Sequence, residues 1–153
     1  MSVERVRKFF EERGRGTEIY ELSESTATVE EAAAAHGVDP ARIAKTMAIR
    51  LKDRCIFIVM AGDSRLDNKK FKAYFGQKCA MVKPEEVEEV TGHPVGGVCA
   101  FGNPQKMDTY LDEGLKRFDY VYPAAGAPNA SLKISPQEMQ EVTQGVWVDL
   151  SKR

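Results

Sequence analysis

The sequence predicts an α+β fold: a single compact domain over residues 1–153, with a mixed, mostly antiparallel, barrel-like sheet and helices around it. Three observations predict it. Short apolar runs of period two alternate irregularly with runs of helical period. Residues 43–60 carry two strand patterns separated by only a turn. No internal repeat, linker or low-complexity stretch divides the 153 residues, a length that suits one domain with a sizeable core.

The elements follow in order. Residues 3–12 place Val3, Val6, Phe9 and Phe10 on one helical face, and Gly14 and Gly16 end it. Residues 17–22 read as a short strand. Thr28 with Glu31 fits a capping box, four alanines (32–35) propagate the helix, and Gly37 stops it. Asp39 and Pro40 open a turn or a short second helix. Ile43, Lys45, Met47, Ile49 and Leu51 then alternate with Ala44, Thr46, Ala48 and Arg50, which is the period of a strand. Asp53 and Arg54 form a turn. Residues 55–60, apolar on both faces, suit a covered central strand paired with the one before it. Residues 62–66 are a loop, and Asp67 is an N-cap for a helix through Phe75 closed by Gly76. Residues 78–82 suit a short strand. Pro84 fits a first helical turn, four glutamates favour that N-terminal half, and Gly92 ends the helix. Residues 92–104 have no period. From Met107 come a strand, a short helix near 112–117, strands at 120–123 and 131–134 around a loop at 124–129, a helix from Pro136, and a last strand near 146–148.

Composition excludes several classes. Lys and Arg total 22 against 23 Asp and Glu, so the net charge is −1. A protein that grips DNA through its phosphates is far more basic, so no DNA partner is expected and any nucleic-acid contact is local. No apolar run approaches the roughly 20 residues of a membrane helix, and the charged N-terminus lacks a signal core. A cytoplasmic protein with no membrane partner is the expectation. Cys55, Cys79 and Cys99 form no paired motif, and with only His36 and His93 beside them no metal site or cofactor is expected.

Four features could carry chemistry. Lys45 shares a strand face with Ile43, Met47 and Ile49, where an ammonium is costly without partners. It is either a lysine whose head reaches water at a strand end or a cation at the floor of a pocket. Loop 96–102 contains Gly96, Gly97, Val98, Cys99, Ala100, Phe101 and Gly102. It either converges backbone N–H groups on an oxygen or is an ordinary glycine loop with Phe101 in the core. Cys99 with His93 could be a thiol and its base, or a buried cysteine beside a histidine. Lys69, Lys70, Lys72 and Lys78 among Phe71, Tyr74 and Phe75 form either a basic edge for RNA or a solvated helix face.

Taken together the motifs resemble the YbaK/prolyl-tRNA-synthetase-associated editing domains. The resemblance runs through residues 28–33 before Gly37 and Val38, residues 43–47, 61–63 and 65–67, Pro84 to Val87, Thr91 and Gly92, the 97–102 loop, Ala125 and Gly126, and residues 132–135. It implies a barrel-like α+β editing domain acting in trans, hydrolysing the ester of a mischarged tRNA at its 3′ end. It implies a small acyl group such as alanine, serine or cysteine, with the proline tRNA as one carrier and an aminoacyl-tRNA synthetase as one partner. By position, Lys45 matches the lysine that engages substrate, and Gly97, Val98, Cys99, Ala100, Phe101 and Gly102 match the loop at the reaction centre. Tyr20 and Met47 flank the pocket, and Gly126, Asn129 and Ser131 fall on the late loop that shapes it. Ala100 departs from the pattern, because that loop carries proline there. The alternative that this departure supports is a catalytically silent tRNA- or synthetase-binding module on the same fold.

Overall fold

A computed structural model describes residues 2–152. It shows the expected α+β domain, and most helices begin and end for the reasons read from their caps. Helix α1 (Ser2–Glu12) buries Val6 and Phe10. Helix α2 (Val29–His36) begins where the Thr28 hydroxyl accepts from the Glu31 N–H at 3.1 Å, and ends at Gly37 with φ 66°. Glu31 does not complete the capping box; its carboxylate accepts from the Ser25 hydroxyl instead. Helix α3 (Asn68–Phe75) is capped by Asp67, which accepts from the N–H groups of Lys69 and Lys70. Helix α4 (Val87–Thr91) follows a 3-10 turn at Pro84–Glu86. Helix α5 (Pro136–Thr143) is capped by Ser135.

The strands are β1 (Ile19–Glu21), β2 (Ile43–Arg50), β3 (Cys55–Ala61), β4 (Asp108–Asp112), β5 (Tyr122–Pro123), β6 (Ala130–Leu132) and β7 (Val146–Val148). Five of them form a sheet in the order β5-β2-β3-β4-β7. β1 and β6 form a separate antiparallel pair, joined to the chain around β5 by bridges from Ala124 to Ser131 and from Val121 to Ile134. The sheet thus extends around one side of the core as expected.

The pairing is mixed, as expected, and most paired residues are in antiparallel register. β2–β3 and β1–β6 are antiparallel, but β2–β5, β3–β4 and β4–β7 are parallel. Only β2 and β3 are joined by a hairpin turn. The other neighbours in the large sheet are reached by long connections that carry helices or 3-10 turns, and such crossovers permit parallel pairing. Two expectations shrink. Residues 78–82 make only one bridge, Met81 with Ile49, flanked by Arg50 N–H to Ala80 O at 2.8 Å and Val82 N–H to Ala48 O at 3.0 Å. The short helix near 112–117 is a 3-10 turn, Glu113–Arg117.

β3 is the buried centre, with Ile56, Phe57, Ile58, Val59, Met60 and Ala61 all buried. On one side, α1 packs Phe10 against Phe101, ring centroids 5.0 Å apart, in a core that includes Val59, Leu111 and Leu132. On another, Phe71 of α3 joins Ile49, Ile58 and Met60.

Candidate functional site

Strand pairing itself makes the opening. The outer edge of β2 pairs with β5 through Ile43 and Ala44, and with the 80–82 segment around Ile49. Between these contacts, among the described residues, Lys45, Thr46 and Met47 have no strand partner on that edge. A cleft of about 240 Å³ opens there. β2 contributes Lys45 and Met47, β5 and β6 contribute Tyr122 and Ser131, the start of α2 contributes Thr28 and Ala32, and the glycine loop contributes Gly96 and Val98. Met81, Val82 and Val87 complete a largely apolar wall.

Lys45 is half-buried, and its ammonium donates to the carbonyl of Ser64, in the loop after β3. Burial pushes its pKa down, with Arg65 adding to the effect and the carboxylates of Asp63 and Glu30 opposing it. Asp63 is engaged elsewhere, by the Arg117 guanidinium at 2.7 and 3.3 Å, which holds its carboxyl below the usual range. Lys45 is therefore a cation with a neutral partner that a substrate oxygen could replace.

The glycines of the loop allow close approach. Gly96 has φ 89°, and a Cβ there would lie 2.9 Å from the Ala27 Cβ; one on Gly97 would lie 2.4 Å from the Ala127 nitrogen. The Gly97 N–H donates to Pro94 O, and the Gly126 N–H donates to Gly97 O, both at 2.9 Å. The loop is thus dovetailed between residues 26–28 and 126–128.

After Val98 the chain turns inward. Cys99 and Phe101 are buried in the core, Ala100 packs with the cluster of Phe57 and Val82, and Gly102 lies against α1, where Arg5 Nε donates to its carbonyl. Of the six loop residues at 97–102, Val98 lines the cleft and the others support it from behind. The structure does bring Cys99 and His93 together, Sγ to Nε2 at 3.5 Å, with both side chains fully buried. His93 Nε2 also lies 2.8 Å from Phe101 O, and its Nδ1 contacts the Ser2 hydroxyl. A carbonyl only accepts, so Nε2 carries the proton and donates it there. That nitrogen has no lone pair to serve Cys99 as a base. Burial also pushes the Cys99 thiol up to about 12, so it stays protonated at neutral pH.

The pocket-flanking and late-loop residues divide in the same way. Ser131 and Met47 line the cleft. Tyr20 stands behind it, paired across the ladder with Ser131 and edge-on to the His36 ring at 5.7 Å. Gly126 packs under Gly97. Asn129 is exposed and braces the end of β1, donating from Nδ2 to Leu22 O and accepting the Leu22 N–H at its own carbonyl.

Sequence reasoning missed His36 and Tyr122. His36 Nε2 lies 2.5 Å from Ser131 Oγ, and its ring stacks on Tyr122 at 4.5 Å. Nothing in the local pattern marks these residues, which meet from α2, β5 and β6. A larger groove, about 820 Å³, runs between α1, residues 102–107 and the end of α5. Its arginines serve the fold: Arg15 pairs with Glu138 and Glu141, and Arg13 lies over the Phe9 ring. Lys45 singles out the smaller cleft. Among the described residues no three His, Cys, Asp or Glu side chains converge as a metal site.

Fold and cleft define a class: a small α+β domain that holds one lysine beside a glycine-built wall in a tight, largely apolar cleft. Residues 23–142 match the family model described as aminoacyl-tRNA editing domain, and the chain belongs to that family. The uncharacterized protein YwhH of Bacillus subtilis (strain 168) is 44% identical over 154 residues, covering 99% of this chain and 98% of that protein. A proline–tRNA ligase of Thermotoga maritima is 31% identical over 93 residues, 60% of this chain but 16% of the ligase. A solved structure provisionally described as a trans-editing enzyme for prolyl tRNA synthetase matches with TM-score 0.92 and 33% identity, over 99% of this chain and 98% of that one. The crystal structure of hypothetical protein APE2540 matches with TM-score 0.89 and 33% identity, over 97% and 99%.

Proposed function

We propose that the protein is a trans-acting aminoacyl-tRNA deacylase that hydrolyses the ester of a mischarged tRNA. The observation that carries this reading is Lys45, a half-buried cation that forms no ion pair among the described residues, facing a cleft in a chain of the editing family. An aminoacyl ester is already activated, so the protein supplies only part of a large rate factor. Lys45 exchanges the Ser64 carbonyl for an oxygen of the substrate and polarises it, and Gly96 and Val98, at the start of the glycine loop, confine the reacting group. Water adds to the ester carbonyl carbon. The bond to the ribose oxygen then breaks, the ribose oxygen takes a proton, and the free amino acid leaves. No cofactor is called for.

Cleft size argues for a small acyl group. The volume of about 240 Å³ falls below the roughly 300–1,000 Å³ of sites for drug-sized ligands. Alanine, serine or cysteine fits, which suits a second sieve for small residues. The tRNA 3′ end is then the partner, the proline tRNA is a first candidate carrier given the ligase relatives, and a synthetase is a second partner. The cytoplasm is the compartment in which such a substrate is met. The silent-module reading rested on Ala100, whose side chain packs outside the cleft with Phe57 and Val82, so it gains no separate support.

Single-turnover deacylation with a panel of mischarged tRNAs tests the proposal. At least one small aminoacyl species is expected to be released well above the buffer rate, with that release lost in Lys45→Ala. Release at the buffer rate for every species would remove the enzyme reading.

A further inference from the structure

The cleft has a second polar feature besides Lys45. Ser131 is 2% exposed yet lines the cleft, and its hydroxyl is tied to His36 Nε2 at 2.5 Å. Three elements converge on it: β6 holds Ser131 opposite Tyr20, α2 ends at His36, and β5 places Tyr122 in the cleft wall with its ring stacked on His36. Burial lowers the His36 pKa, which favours the neutral imidazole. A neutral ring leaves room for a positive charge nearby that a charged one would repel.

An aminoacyl ester brings such a charge, the α-ammonium. In a largely apolar cleft the ammonium needs acceptors, and Lys45 repels it. The threonine hydroxyls at positions 26, 28 and 46 also border the cleft, but among the described residues none is tied to a partner side chain as Ser131 is to the half-buried His36. If His36 Nε2 accepts, the Ser131 hydroxyl hydrogen is used and both oxygen lone pairs are free; if Nε2–H donates, one lone pair remains. Either tautomer leaves Ser131 Oγ able to accept from the ligand. The Tyr122 ring in the same wall adds a surface that favours a cation.

We propose that His36 is a positioning residue that fixes Ser131 as the acceptor for the α-ammonium of the bound aminoacyl group. The inference rests on the deacylase reading and deepens it. It accounts for a histidine at the end of α2 packed on two residues of the cleft wall. It also gives the site polarity: the ester end toward Lys45, the ammonium end toward Ser131.

The test uses two stable adenosine analogues whose 3′ position carries an amide in place of the ester, one alanylated and one lactylated. They differ only in ammonium against hydroxyl. Wild-type protein is expected to bind the alanyl analogue about 10-fold or more tightly than the lactyl one. His36→Phe keeps a ring against Tyr122 but lacks the hydrogen bond, and is expected to lose most of that preference by weakening the alanyl complex alone. His36→Gln keeps a side-chain amide in reach of Ser131 and should restore part of it. Ser131→Ala should match His36→Phe, and the double variant should be no worse than either. Melting curves of all variants are recorded, and a merely structural role would weaken both analogues alike. Equal binding of the two analogues by wild type, or equal weakening of both by His36→Phe, overturns the proposal while leaving deacylation intact. Failure of wild type to bind either analogue or to hydrolyse any mischarged tRNA overturns both.

Discussion

Lys45 pays a desolvation penalty to stand where it does, and the fold offsets it with one carbonyl and the field of the Asp63 and Glu30 carboxylates rather than an ion pair. A lysine kept for packing would show the reverse. Lys45→Ala is therefore expected to lower kcat/KM by about 100-fold, or ~2.7 kcal/mol of transition-state stabilisation. Its melting temperature should stay near wild type; a large drop in melting temperature would return Lys45 to a structural role. Cys99 gives a prediction of another kind. Its thiol is pushed up to about 12 in the fold against an ordinary 9.0, because it is fully buried. From pH 9 upward the unfolded chain releases this proton while the folded chain keeps it, so stability falls as pH rises toward 12. Between pH 8 and 10 the loss is about 1.4 kcal/mol. Urea unfolding of Cys99→Ala should show a pH 8 to 10 decline smaller by that amount; equal declines would contradict the burial argument.

At the scale of elements, the glycine wall depends on space. Gly97→Ala puts a methyl 2.4 Å from the Ala127 backbone nitrogen, so residues 96–97 or 126–128 must move. The expected cost is about 1–3 kcal/mol of stability, read by chemical denaturation, with slower deacylation because Val98 shifts with the loop. An unchanged variant would show that the dovetail is loose. Caps made helices readable from sequence: Thr28 and Asp67 each bond to N–H groups within three residues. The β2–β3 hairpin was readable for the same reason, because its partners are close in the chain. The parallel ladders were not, since they depend on where long crossovers return. Lys45 stood out because a charge broke a strand pattern. His36 and Ser131, 95 residues apart, carried no such local mark. The loop was readable as a loop, but not which of its residues would face the cleft and which the core.

For the molecule as a whole, a net charge of −1 gives no general pull on RNA, so contact beyond the tRNA 3′ end must come from local charge. On α3, Lys69 and Lys72 are exposed, while Lys70 is tied to Asp149 and the Ser151 carbonyl. Lys69→Glu with Lys72→Glu should raise KM for full-length mischarged tRNA and flatten its salt dependence, with little change for a short aminoacyl-adenosine substrate. An unchanged KM would leave α3 as a solvated face. The topology explains why the candidate site lies where it does. β5 covers one end of the β2 edge and the 80–82 segment the other, and the uncovered middle holds Lys45. The account stands on that gap being a reaction site. Its most direct test is single-turnover deacylation of small mischarged aminoacyl-tRNAs by wild type and Lys45→Ala side by side. The account predicts fast release by wild type for at least one species and about 100-fold slower release by a stably folded variant. Equal rates for the two proteins, or no release by either above buffer, would contradict it.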